Sequence, residues 1–185
     1  MSTVCQDVSL YPEDLLELAD FQALDRRWWV LYTKSRQEKA LSQQLLSQEV
    51  PFYLPLVRKA HVCRGRRFFS RVPVFAGYVF MYGSEQERLC SLTTNRISRI
   101  LPVHAPDRLC HDLRQLFRLI ASEAPLTIES RLGPGRRVRV RHGALAGLEG
   151  TVLARHGRTR LLVAVDFLQQ GASVDVEDCF LEPID

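Results

Sequence analysis

Arg71-Val72-Pro73-Val74-Phe75-Ala76-Gly77-Tyr78-Val79-Phe80-Met81-Tyr82 is the stretch whose reading decides the fold. A proline leads into it, a glycine lets the backbone turn, and from Tyr78 onward no charged residue interrupts the run. Successive side chains of a strand point to opposite faces, so Tyr78, Phe80 and Tyr82 share one face and Val79 and Met81 the other. Both faces are apolar. Such a strand is either covered on each side or offers one aromatic face to a partner.

Working outward, Trp28 to Thr33 is aromatic and β-rich and predicts a first strand. Gln37 to Gln48 sets Leu41 and Leu45 one helical turn apart, which predicts an amphipathic helix ended by Val50-Pro51. Phe52 to Val57 reads as a strand in which Pro55 argues for an edge or a bulge. Arg64-Gly65-Arg66-Arg67 reads as a basic hairpin turn, with Phe68 to Val72 as its return strand. Beyond Gly83, a short helix is expected from Ser84 to Thr94, capped by Ser84, with Leu89 and Leu92 facing inward. Ile97 to Val103 follows as a strand. Asp107 to Ser122 carries Leu109, Leu113, Leu116, Phe117 and Ile120 at helical intervals and makes the clearest amphipathic helix. This alternation describes an α+β domain with a mostly antiparallel sheet over residues 26–124.

Two prolines and two glycines then fall close together, so residues 125–134 read as a linker, with Leu132-Gly133-Pro134-Gly135 at its end. In Arg137-Val138-Arg139-Val140-Arg141 strict alternation places the valines on one face and the arginines on the other. Gly143, Gly147 and Gly150 read as turn residues. Further strands are expected at Thr151 to Ala154, Arg160 to Phe167 and Ala172 to Val176, so residues 135–185 suggest a small β-barrel.

Charge is unevenly distributed. Residues 1–25 hold six acids and no base, residues 26–123 hold 17 bases and 7 acids, and residues 124–185 hold 8 of each. A basic middle suits a polyanion, whose phosphates Lys and Arg neutralise. The acidic leader ahead of it suggests an intramolecular competitor, with Leu15, Leu18 and Phe21 for apolar contact and Pro12 opening a short helix. A plain solubilising tail accounts equally for its acids.

Five scattered cysteines without a C-x-x-C pair predict neither a disulfide frame nor a zinc site, and a helix would turn Cys110 and His111 to different sides. No apolar run nears the roughly 20 residues of a membrane span, and a soluble, cytoplasmic protein is expected. Phosphate-loop, nucleophile-elbow, zincin and dinucleotide motifs are absent from the sequence, so neither an enzyme nor a cofactor is expected.

The order Trp28-Trp29-Val30-Leu31-Tyr32, Glu38-Lys39-Ala40, Phe52-Tyr53-Leu54-Pro55, Pro73-x-Phe75-x-Gly77-Tyr78-Val79-Phe80 resembles the NusG family of transcription elongation factors. The Gly135-x-x-Val138-x-Val140 and Gly147-Leu148-Glu149-Gly150-Thr151-Val152 stretches resemble the KOW motif of the same family. The resemblance implies a monomeric factor with an NGN domain followed by a KOW domain. It implies that Phe75, Tyr78 and Phe80 bind the clamp helices of RNA polymerase. Lys34, Arg36, Thr94, Asn95 and Arg96 match the surface that specialised relatives turn to non-template DNA, and Phe167 and Leu168 loosely match the positions that bind a ribosomal protein. Most members carry proline where this chain has Ala76, and the acidic leader lies outside the two-domain pattern. Both departures point to a specialised, RfaH-like, operon-restricted factor. The alternative is a ribosome-associated RNA-binding KOW protein.

Overall fold

The aromatic stretch lies inside a sheet, and the computed structural model shows how its neighbours are recruited. Residues 7–17, 25–131, 135–155, 157–177 and 181–184 are described. They form two compact units, divided between Pro106 and Asp107.

The first unit contains β1 (Leu10–Tyr11), β2 (Arg27–Thr33), α1 (Glu38–Ser47), β3 (Phe52–Tyr53), β4 (Leu56–Cys63), β5 (Arg66–Pro73), β6 (Tyr78–Gly83), α2 (Glu85–Leu92) and β7 (Ile97–Pro102). Five of these strands make an antiparallel sheet in the order β1-β3-β6-β2-β7, while β4 and β5 pair only with each other as a two-stranded ribbon. Pro55 marks the departure: the expected strand from Phe52 to Val57 is divided there between the sheet and the ribbon.

The register sets the core. Trp29 pairs with Met81 and Leu31 with Val79, and this face packs on the fully buried Leu41 and Leu45 of α1. Each such aliphatic burial contributes about 1.5–3 kcal/mol. Helix α1 ends in a Schellman motif: Glu49, at φ 55°, donates to the Leu46 carbonyl at 3.0 Å, and Val50 donates to that of Leu45 at 2.9 Å.

Ser84 caps α2 as expected, in a capping box with Glu87. Leu89 and Leu92 do not face inward: they are 52% and 43% exposed, and Ser91 is the buried residue. This short helix is tied down instead by ion pairs from Arg27 to Glu85 and from Arg26 to Glu87.

The leader is more than an acidic tail. β1 adds to the sheet edge at β3, Leu54 N–H donates to the Ser9 carbonyl at 2.6 Å, and Asp7 pairs with Lys39 at 2.6 Å. Leu15 and Leu16 are buried, but Pro12 to Glu17 form hydrogen-bonded turns in place of the expected helix. Leu18 and Phe21, the other expected apolar contacts, lie outside the described residues.

The second unit begins with α3 (Pro106–Ala121) and continues through β8 (Leu126–Glu129), β9 (Arg137–Val140), β10 (Glu149–Arg155), β11 (Arg158–Val165), β12 (Gln170–Asp175) and β13 (Leu181–Pro183). The strands form one antiparallel sheet in the order β13-β9-β10-β11-β12-β8. Among the described residues this sheet does not close: β13 and β8 stand at its edges, where the sequence had suggested a small β-barrel. β8 occupies most of the first half of the stretch read as linker and pairs with β12. The second half, Leu132 to Pro134, lies outside the described residues.

Val138 and Val140 are buried and Arg137 and Arg139 exposed, as alternation requires. Gly150 is not a turn residue: it sits inside β10, where a Cβ would lie 2.4 Å from the Leu162 carbonyl oxygen. Helix α3 buries Leu109, Leu113, Leu116 and Leu119, and its polar side chains hold loops of this unit. Gln115 accepts from the Glu149 N–H, and Arg118 donates to the Ala146 carbonyl.

Candidate functional site

The aromatic face opposite α1 is built by the same strand register. Trp28 pairs with Tyr82, Val30 with Phe80 and Tyr32 with Tyr78. Trp28 and Tyr82 approach to 5.5 Å between ring centroids, and Phe75 and Phe80 meet edge-on at 6.1 Å. Phe75 and Phe80 are almost wholly buried in this conformation. Tyr78 is half-buried, and its ring lies 5.0 Å from that of Tyr32, which is 41% exposed. The reachable end of the face is therefore the Tyr32–Tyr78 pair.

Two residues that the sequence reading left without a role shape this end. Tyr32 joins Tyr78 because β2 and β6 are paired, and the alternation Trp28, Val30, Tyr32 was the available signal. Glu38, buried at the start of α1, accepts the Gly77 N–H at 2.7 Å and so fixes the turn into β6. Gly77 needs to be glycine: its φ is +85°, and a Cβ would approach the Tyr32 ring to 3.0 Å.

The expected basic corner is assembled in space. Lys34 Nζ donates to Asn95 Oδ1 at 2.7 Å, and the Lys34 N–H donates to the Arg96 carbonyl at 2.8 Å. Arg96 donates to Gln44 at 3.3 Å and also to Gln37, while its own N–H reaches Thr94 Oγ1 at 3.3 Å. Its guanidinium is thus held against α1, which makes it a positioning group. Lys34, Arg36 and Asn95 are exposed, with Arg36 and Asn95 at φ 58° and 56°.

Phe167 and Leu168 lie in a short 3-10 turn, Asp166–Leu168, in the second unit. Phe167 is 37% exposed and Leu168 half-buried. The turn is anchored through Asp166, whose N–H donates to Asp112 at 3.0 Å and whose carboxylate pairs with Arg108. Burial raises the Asp112 carboxyl to about 6, against the opposing pull of Arg108, His111 and Arg137. Burial also pushes the Cys110 thiol up, which makes it a poor nucleophile.

The family model described as transcription termination factor nusG matches residues 26–118. The chain belongs to the NusG family. The match spans the aromatic face, the basic corner and most of α3. It places this NusG-family chain among factors of transcription elongation and termination. A search of curated proteins returned no match. Among the described residues, no helix is long and apolar enough to cross a membrane.

Proposed function

We propose that this NusG-family chain is a non-enzymatic cytoplasmic transcription elongation or antitermination factor, which binds RNA polymerase through its first domain and recruits a second partner through a KOW-type C-terminal domain. The observation that carries this reading is the family match over a segment whose aromatic strand ends in the accessible Tyr32–Tyr78 pair. Aromatic anchors of this kind dominate helix-in-groove contacts. Phe75 and Phe80 extend the contact to the polymerase clamp helices once they are uncovered. Lys34, Arg36, Thr94 and Asn95 face non-template DNA, with Arg96 positioning the corner against α1, and Phe167 and Leu168 meet the C-terminal partner. The departures at Ala76 and in the leader favour a specialised, RfaH-like factor.

The test is co-purification of the tagged full chain with polymerase, comparing wild type with Tyr32→Ala/Tyr78→Ala. Both rings are partly exposed, so the variant is expected to fold, and loss of an anchor costs about 2 kcal/mol or more of binding. Recovery of ribosomes without polymerase would replace this reading with a ribosome-associated KOW protein. The leader is proposed to compete with these partners. A 26–185 chain should then bind single-stranded DNA more tightly than the full chain, with the larger gain at low salt.

A further inference from the structure

We propose that the β4–β5 ribbon is a docking arm for double-stranded B-form DNA, a surface separate from the aromatic face and the basic corner and independent of the polymerase reading. From Leu56 to Pro73 the chain carries Arg58, Lys59, Arg64, Arg66, Arg67 and Arg71 and no acid. Every residue from Arg58 to Phe69 is exposed. Among the described residues, no ion pair reaches any of these six bases. Arg58 stands directly opposite Arg71 across the strand pair. Like charges in that position repel, and the contacts the two make, Arg58 over the Phe69 ring and Arg71 donating to the Asp7 carbonyl at 3.1 Å, do not neutralise them.

The geometry selects the anion. Eight-residue strands give a ribbon about 26 Å long, closed by Arg64-Gly65 with φ of 49° and 75°, the two left-handed residues of a tight hairpin turn. A two-stranded ribbon fits the major groove of B-form DNA, about 12 Å wide, whereas the deep, narrow groove of duplex RNA excludes one.

Binding of a single strand calls for an aromatic platform on which successive bases stack. Phe68 and Phe69 are both 53% exposed but adjacent in β5, so they point to opposite faces and form no platform. The Arg58 guanidinium already covers the Phe69 ring at 3.8 Å. The bases instead form two groups, Arg58, Lys59 and Arg71 at the base of the ribbon and Arg64, Arg66 and Arg67 at its tip, with both faces represented. Such groups can meet phosphates at separate points along a duplex, which presents one charge per about 1.7 Å of axis.

The experiment titrates the full chain against a fluorescein-labelled 20-base-pair duplex by anisotropy, between about 50 and 200 mM salt. The comparison is with Arg58→Gln/Lys59→Gln/Arg66→Gln/Arg67→Gln. The wild type should bind with a steep salt dependence. The variant should lose at least about tenfold in affinity and about 3 to 4 in the slope of log K against log salt, since each phosphate contact contributes about 0.9. Thermal melting monitors the fold, and the pair Arg66→Gln/Arg67→Gln at the tip, with an expected slope change of about 2, replaces the quadruple variant if that one unfolds. An unchanged slope overturns the proposal. So does a single strand of the same sequence bound as tightly as the duplex, or polyglutamate competing as well as the duplex does, which would identify an acidic protein surface as the partner.

Discussion

Two arginine-rich strand pairs in this chain use the same residue in opposite ways. In the second unit Arg139 of β9 stands across from Glu149 on one side and Glu182 on the other, and it bonds Glu149 through two nitrogens, at 3.0 and 2.6 Å. Arg141 reaches Glu182 at 3.6 Å. In the first unit Arg58 of β4 faces Arg71, and the ribbon offers no acid at all. Cross-strand partners thus decide whether an arginine closes a structural charge network or stands without an acid opposite it. The aromatics repeat the lesson: Phe80 is fully buried within the sheet, while Phe69 is 53% exposed on the ribbon.

The largest break in this comparison should come from the aromatics. Phe80→Ala is expected to cost about 3–5 kcal/mol in urea denaturation, and Phe69→Ala no more than about 1 kcal/mol, the scale of its contact with Arg58. Equal losses would show that the ribbon is packed as firmly as the sheet.

Next come two carboxylates of the second unit with opposite pH behaviour. Asp112 has its folded value raised by burial to about 6, above the roughly 3.9 of an unfolded chain. The folded state then binds the proton more tightly, so stability should fall as pH rises from about 4 to about 6, by on the order of 1–2 kcal/mol once partial exposure is allowed for. Asp112→Asn should flatten that decline in melting curves taken across the interval.

Glu149 runs the other way. The hydrogen bond from Arg139 leads the effects that hold its carboxyl below the ordinary range. Its contribution is present above the unfolded value of about 4.3 and is lost as pH falls through the depressed folded value. Glu149→Gln should cost about 1 kcal/mol at neutral pH. The difference from wild type should vanish in acid, and a gap that persists there would mean packing and not charge.

The smallest effect is expected on the ribbon. Arg67→Gln should change stability by less than about 0.5 kcal/mol, in either direction. A larger loss would reveal a structural partner for this arginine and weaken the contrast with Arg139.

Local features were legible because they depend on neighbours in sequence. The alternation of Tyr78 to Tyr82, the Leu41 and Leu45 stripe, the Ser84 cap and the Arg-Val alternation of β9 all follow from the two periodicities and from short-range hydrogen bonding. The basic corner entered only through the family resemblance; its two segments meet because they flank strands that pair with one another.

Only the tertiary structure decided the rest. Leu89 and Leu92 turned outward because a two-turn helix can be held by its cap and ion pairs without burying its leucines. Phe75 and Phe80 look like surface anchors or core in the sequence, and burial, which depends on distant chain, determined that they are covered in this conformation. Glu38, thirty-nine residues from Gly77, became the support of its turn through folding alone. The arginines of β4 and β9 have the same chemistry in sequence. Strand register assigned acids to one set and none to the other, because a cross-strand partner is a fact about pairing that no local pattern contains.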